Sequence, residues 1–472
     1  MERTSVLIVG GGLVGLSAAL FLQYHGVDFV LVERRSGASV LPRSRGVHTR
    51  TVEFYRQIGI EDRVQEAAAS ALKAGAFGGA RTGTSILDSE PLALSRHLMA
   101  MDPSPSQFCF CPQVLLEPVL ADIARERGGD LRFGTELTAL DDGRATIGGT
   151  TIEADHVIAA DGAASPIRAM LGITGWTLPP THRYLNVFVH ADLTDLVEGR
   201  TFSQCEFAND TARGIVLSKN NTDEWSFHFE YDDVPPGNVV ELVHAAIGKD
   251  DIDVRVLASS TWDTSVHVAD DYRRGRVFLA GDAAHQHAPW GGFGANTGIA
   301  DVHNLAWKLA MVIRVQAGPG LLDTYQPERR PRAVLAGGQA RLRTDFQARY
   351  GIETATNAAD VAEQVDTGTI MTRYSYGGGT VDELCGQVGT RVPHVWVSPG
   401  MSTVDLCGPG FAVIAGPDTS EWPDTVPVHR IDVDVPGLAA DGAFLVRPDA
   451  HIAARDVRPD TLDTVLREAT CR

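Results

Sequence analysis

The chain has 472 residues and a formal net charge of −19, with 44% hydrophobic and 21% charged residues. That length and composition fit a globular protein of two or three domains, and the acidic excess argues against general binding to nucleic acid or anionic membranes. Six cysteines, at 109, 111, 205, 385, 407 and 471, form no CxxC and no framework spacing, the pattern of reduced thiols in a cytoplasmic protein with no metal centre.

Residues 5–22 are apolar, but Gly10, Gly11, Gly12 and Gly15 interrupt them and no basic start precedes them. They read as a buried strand and a buried helix, not as a signal peptide or membrane span. Val6 to Val9 form a continuous β-type run, as in a parallel strand covered on both faces. Gly10-x-Gly12-x-x-Gly15 follows at once, then a helix over 13–24, a strand over 27–32 and Glu33. These glycines permit a tight turn and a close approach of pyrophosphate to the helix start, and the acid suits ribose hydroxyls. The order predicts a dinucleotide site without choosing FAD or NAD. Arg34 and Arg35 read as phosphate partners or as solvated charges. Arg43 and Arg45, before a helix, read as anion contacts or as surface charges. Residues 74–107, rich in Gly, Ser and Pro, have no clear assignment. Gln113 opens a helix with Leu116 and Leu120 on one face. Short strands are expected over 131–152, and a further strand over 157–160 ends at Asp161-Gly162, where open α/β sheets hold ligands.

Between 181 and 263 the period changes to two. Leu185, Val187 and Val189, and then Trp225, Phe227, Phe229 and Tyr231, alternate with other residues, predicting an antiparallel sheet with one apolar face. His228, on the other face, is expected to be solvated. A strand over 277–280 then turns at Gly281-Asp282 and runs through Pro289, Trp290, Gly291, Gly292 and Gly294 into a helix from Asn296. Glycines let a flat ligand lie on the backbone, and the helix start favours negative charge. Asp282 suits hydroxyl groups. Taken alone, the stretch is either a site for a planar, polyhydroxylated, electron-accepting cofactor or an ordinary strand–loop–helix turn. A second helix is expected from Pro327 to Arg349, a polar linker over 351–386, and a small α/β domain ending in a helix from Asp460.

On Gly10-x-Gly12-x-x-Gly15 with Glu33, on Asp161-Gly162, and on Gly281-Asp282 followed by Pro289-x-Gly291-Gly292-x-Gly294-x-Asn296, the chain resembles the group A flavoprotein monooxygenases. These are the class of para-hydroxybenzoate hydroxylase and phenol hydroxylase. It is most similar to the branch that acts on aromatic polyketides. Pro393-His394-Val395-Trp396, Ser402 to Leu406 and Leu445 to Asp449 resemble that branch's thioredoxin-like appended domain, here without CxxC and so structural. The resemblance implies an α/β fold: a Rossmann-like FAD-binding domain of GR2 type over 1–180 and 264–350, with 75–110 contributing to the substrate side. An inserted antiparallel substrate sheet occupies 181–263, a linker 351–386 and the thioredoxin-like domain 387–472.

The resemblance also implies roles. Gly10, Gly12, Leu13, Val14, Gly15, Glu33 and Arg34 would hold the ADP half of FAD, and Arg43 and Gln113 would contact the flavin. Asp161 and Gly162 match a motif tied to FAD and reduced nicotinamide. Gly281 and Asp282 would hold the ribityl chain. Pro289, Gly292, Gly294, Ala295 and Asn296 would lie along the isoalloxazine ring. Trp290 and Arg45 depart from the small residues usual there and would reshape the substrate pocket. The implied chemistry is reduction by NADPH or NADH, reaction with O2 to a flavin C4a-hydroperoxide, and hydroxylation of a small aromatic or polycyclic substrate. His48, Pro289 and Trp290 are the catalytic candidates, with His285 and His287 as further candidate bases. Alternatives are the same flavin chemistry giving Baeyer–Villiger oxidation, epoxidation or N-oxidation, and a ligand-sequestering binder without activity. Oligomeric state stays open.

Overall fold

A computed structural model of the chain describes residues 2–37, 44–69, 79–92 and 100–472. The first sheet has eight strands, six of them in the order Arg273–Arg274, Val277–Leu279, Thr150–Ala159, Glu2–Val9, Phe29–Glu33 and Asp130–Phe133. The last five are mutually parallel. Val6 to Val9 and Val30 to Val32 are buried, as parallel strands covered on both faces must be. The helices Leu13–Tyr24, Gln113–Glu126 and Phe293–Ile313 pack together over this sheet. Adjacent parallel strands end at one edge. The Gly10 loop, Asp161-Gly162 and Gly281-Asp282 follow three neighbouring strands, so all three lie at the carboxyl edge.

The second sheet has seven strands, ordered Arg255–Asp263, Arg183–His190, Glu224–Tyr231, Arg213–Ser218, Gln204–Ala208, Ala80–Gly83 and Glu90–Leu92. Two of these come from the stretch that carried no sequence assignment. Ala80–Gly83 runs parallel to Gln204–Ala208, with Ala80 opposite Gln204. One face of the sheet carries Leu185, Val187, Trp225, Phe227, Phe229, Cys205 and Phe207 and packs with Val243 and Ile247 of the helix Val239–Ile247. The opposite face carries Tyr184, His228, Ile215 and Glu206 and turns toward Trp290.

The carboxy-terminal unit is a four-stranded sheet, Val428–Arg430, Ala412–Ala415, Ala443–Val446 and Ile452–Arg455, with the helix Leu462–Ala469. Buried charge joins it to the rest. The Glu53 carboxylate accepts from Arg391 Nη2 at 2.6 Å, Arg50 Nη1 at 2.6 Å and Ser104 Oγ at 2.6 Å. Glu328 accepts from Arg447 Nη1, Lys308 Nζ and Asn304 Nδ2, each at 2.7 Å.

Three sequence expectations differ from the structure. The long helix starts at Phe293 and not at Asn296, because Gly291 and Gly292 are left-handed (φ 80° and 67°) and set the turn before it. The second helix is Tyr325–Leu342, and Phe346–Arg349 is a separate turn capped by the Asp345 side chain. Residues 351–386 are packed: they form helices Ala358–Ala362 and Thr367–Met371, and Ile370 and Met371 lie buried with Phe293 and Ala336. Among the described residues no helix is long and apolar enough to cross a membrane. All six cysteines are free, with Cys109 and Cys111 buried.

Candidate active site

At the amino-terminal loop, glycine is enforced by close approach. A Cβ on Gly10 (φ 111°) would stand 2.1 Å from Ala160 O, and one on Gly15 would stand 1.9 Å from Gly10 O. Strand, loop and helix can therefore nest only with no side chain there. At Gly12 an added Cβ would meet only Glu117 Oε1, at 3.6 Å. The helix Leu13–Tyr24 starts there without a side-chain cap or an acid in its first turn. Its first N–H groups are offered to a ligand. Glu33 Oε2 accepts from Gly11 N–H at 2.7 Å, and Oε1 accepts from Arg35 N–H at 2.8 Å and Nε at 3.0 Å. Burial pushes the Glu33 carboxyl up, but these bonds outweigh it and hold the group below its usual range, as an ionised acceptor. Gln113 Nε2 donates to Glu117 Oε1 at 2.5 Å, and Gln113 N–H donates to Ser44 O at 2.8 Å. Gln113 and Glu117 thus stand over Gly12. Leu13 is buried and Arg34 exposed. Arg43 lies outside the described residues.

The third motif meets the first. A Cβ on Gly281 (φ 60°) would stand 2.8 Å from Val14 Cγ2, and one on Gly298 would stand 2.8 Å from both Gly281 Cα and Val14 Cγ2. Asp282 is exposed at this junction. Gly281 N–H donates to Asp301 Oδ2 at 3.2 Å, and Asp301 also accepts from His285 Nε2 at 2.7 Å and from Arg329 Nε at 2.9 Å. His285 and Asp301 side chains are wholly buried. This corrects the expectation of His285 as a base for substrate: it holds the turn from behind. Asp161 Oδ1 accepts from Ser165 Oγ at 2.7 Å and its Oδ2 from Ile167 N–H at 3.0 Å, which ties Asp161 to the start of the helix Pro166–Met170, whose N-cap is Ser165. Gly162 (φ 89°) has open space where a Cβ would stand.

The helix Phe293–Ile313 begins at Gly292 with no side-chain cap and no acid in its first turn, with Gly294 and Ala295 half-buried there. Asn296 fastens this start: its Oδ1 accepts from His48 N–H at 2.7 Å and Thr51 Oγ1 at 2.6 Å, and its Nδ2 donates to Gly292 O at 2.8 Å. His48 Nε2 lies 2.9 Å from Gly291 O. A carbonyl only accepts, so Nε2 carries the hydrogen and the buried Nδ1 is a bare acceptor. Burial lowers the His48 pKa, so the ring is neutral. His287 is similar, with Nδ1 3.0 Å from Ala288 O, Nε2 unpartnered, and its pKa lowered by burial to about 4.

Pro289 is exposed and Trp290 buried. The Trp290 ring meets Tyr184 and Trp262 edge-on at 6.2 and 5.6 Å between centroids, and the Arg349 guanidinium lies 3.5 Å over it. Arg45 is half-buried, and desolvation lowers its guanidinium to about 10. His228 corrects another expectation. It is half-buried with its ring nitrogens shielded: Nε2 is buried, and Nδ1 accepts from Trp262 Nε1 at 3.0 Å. Sequence reasoning missed Glu117, Asp301, Arg329 and Glu206. The i, i+4 spacing of Gln113 and Glu117 and the period-two alternation around Glu206 were the available signals.

This glycine cradle, with two uncapped helix starts, an ionised acid at the second strand end and Asp282, fits a dinucleotide carrying a flat ring. Residues 3–337 match the family model described as FAD binding domain, and residues 386–472 match that described as aromatic-ring hydroxylase, C-terminal. The chain is 36% identical to tetracenomycin A2 monooxygenase-dioxygenase of Streptomyces glaucescens, over 99% of this chain and 96% of that protein. It is 34% identical to 4-methyl-5-nitrocatechol 5-monooxygenase of a Burkholderia species, over 99% and 97%. It superposes on the crystal structure of aklavinone-11 hydroxylase in ternary complex with FAD and aklavinone with a TM-score of 0.89, at 31% identity and 100% of both chains.

Proposed function

Because the chain belongs to the family of FAD-dependent aromatic-ring hydroxylases, we propose that it inserts one oxygen atom from O2 into a phenolic, polycyclic substrate of polyketide type, with NADPH or NADH as electron donor. The observation that supports this reading is the close approach of Gly281 and Gly298 to Val14, which brings the two distant glycine half-sites together at the carboxyl edge of the first sheet. The substrate class is supported by the tetracenomycin and aklavinone enzymes among the similar proteins. An aromatic wall, with Tyr184 stacked on Trp262 and Trp290 edge-on to both, adds to it, since such a surface suits a multi-ring ligand. Free cysteines fit a cytoplasmic enzyme.

Bound FAD supplies electron storage and oxygen activation. The chain's own residues bind and orient. The first helix start would take the pyrophosphate and Glu33 would accept from ribose hydroxyls, with Gln113 beside the loop. Asp282 would accept from the ribityl hydroxyls. The start of the helix Phe293–Ile313 would stabilise negative charge on the ring, with Asn296 keeping the backbone donors in place. His48 Nδ1 is the acceptor best suited to hold the phenolic proton, because Gly291 fixes its tautomer. Buried Trp290, next to exposed Pro289, would shape the substrate side and keep water from it.

The test is direct. Purified protein should carry FAD, consume NADPH or NADH faster when a polycyclic phenol is added, and yield product labelled from ¹⁸O₂. FAD-loaded protein that gives no labelled product with any phenol would overturn the reading.

A further inference from the structure

We propose that His228, Trp290 and Arg349 form a wall of hydrogen-bond donors that recognises a neutral carbonyl oxygen on the substrate, which makes His228 a specificity-determining residue. The inference rests on the hydroxylase reading above and narrows its substrate to a phenol whose ring system also bears a ketone or quinone carbonyl.

Strand register puts the group on one side of the sheet. Tyr184 stands opposite Trp262, Asn186 opposite His228, His228 opposite Ile215, and Ile215 opposite Glu206. Directly paired residues share a face, and this face meets Trp290. The tautomer of His228 follows from its neighbour. An indole N–H only donates, so His228 Nδ1, 3.0 Å from Trp262 Nε1, is the acceptor. A neutral ring then carries its hydrogen on Nε2, which is buried and has no partner among the described residues. The ring is neutral: burial, with Arg45 and Arg349 nearby, lowers its pKa to about 3.

The same holds around it. Trp290 Nε1 is buried without a partner, and indole has no other polar group. Arg349 Nε and Nη2 donate to Arg343 O and Thr344 O, at 3.2 and 3.1 Å, while Nη1 is buried and unpartnered. Burial pushes the nearby Glu206 carboxyl up to about 8, so at neutral pH it is an acid with a hydrogen to give and not an anion. Buried donors without acceptors are costly. A ligand oxygen would satisfy them. A carboxylate fits less well, because the charges of Glu230 and Asp345 already act on Glu206 at this face. A ring carbonyl accepts without bringing charge.

The test uses the full chain loaded with FAD and reads dissociation constants from the change in flavin absorbance. The probes are 5-hydroxy-1,4-naphthoquinone, 1-naphthol and 1-hydroxy-2-naphthoate. Wild type should bind the quinone tightest. His228→Leu should weaken the quinone by about tenfold or more, one hydrogen bond's worth, and 1-naphthol by less than about threefold. His228→Gln, which keeps an N–H near Nε2, should recover most of the loss. Trp262→Phe frees the tautomer and should reduce quinone selectivity even if His228→Leu does not fold. Equal losses for quinone and naphthol, or none, would overturn the proposal. So would a naphthoate that binds tightest with the same dependence on His228. Phenol-stimulated NADPH or NADH consumption, measured on the same preparations, reports the hydroxylase reading separately. Its persistence without carbonyl selectivity would remove only the present inference, and its absence from wild type would remove both.

Discussion

Two buried polar clusters in this chain use the same residue types in opposite ways. At the seam with the carboxy-terminal unit, Glu53 and Glu328 are each surrounded by cations and by a neutral donor. At the inner face of the seven-stranded sheet, His228 on the sheet and Trp290 and Arg349 outside it each keep a donor with no partner among the described residues. Burial is common to both, so burial of charge alone does not mark a working site. What separates them is how the charges are answered. At the seam each carboxylate accepts from two cations and joins two units, although Arg391 Nη1 itself has no partner among the described residues. On the sheet face the unmet groups are donors with no carboxylate bonded to them among the described residues, which suits a ligand acceptor.

Substitutions should sharpen this contrast, beginning at the seam. Glu53→Ala leaves Arg50 and Arg391 buried together without their counter-charge. It should cost about 3–5 kcal/mol of stability, the usual penalty for breaking a buried pair, measured by urea unfolding. Gly281→Ala comes next. The residue has φ 60° and an added Cβ would stand 2.8 Å from Val14 Cγ2. The strain should cost about 1–3 kcal/mol, and FAD content after gel filtration should fall, since the two half-sites separate.

Glu206→Gln belongs to the sheet face and should change stability in a pH-dependent way. The folded carboxyl, at about 8, lies above the ordinary value of 4.5, with burial as the first cause and Arg349 opposing it. Between those values the folded state holds a proton that the unfolded state has released. Wild-type stability therefore falls as pH rises through that window and levels off above it. The Gln variant lacks that slope, so the melting temperatures of the two proteins should diverge toward alkaline pH in the variant's favour. The smallest effect is a labelling pattern. Burial pushes Cys109 and Cys111 up to about 12. Only thiols such as the exposed Cys471 should react promptly with a disulfide reagent in the native protein.

Local pattern made much of this legible. The helix Leu13–Tyr24 follows from the glycines before it and the apolar run within it. The alternation over 181–263 announced an apolar face, and the three glycine motifs announced the sheet edge where they lie. What sequence could not convey was pairing across distance. His285 reads as a candidate base until Asp301, 16 residues on, is seen to accept from its Nε2, with Arg329, a further 28 residues on, donating its Nε to the same carboxylate. His228 reads as solvated because its partner, Trp262, comes from another strand, and Trp262 in turn meets Trp290 from outside the sheet. The long helix starts early because two consecutive left-handed glycines end the loop sooner than the apolar periodicity suggests.

The parallel pairing of Ala80–Gly83 with Gln204–Ala208 also bears on how this enzyme can be re-engineered. A chimera that grafts residues 181–263 alone onto a relative would carry one border of the sheet stripped of its native neighbour, an invitation to aggregate. Transplanting 79–92 together with that insert keeps the border closed, so donor specificity should travel only when both pieces move.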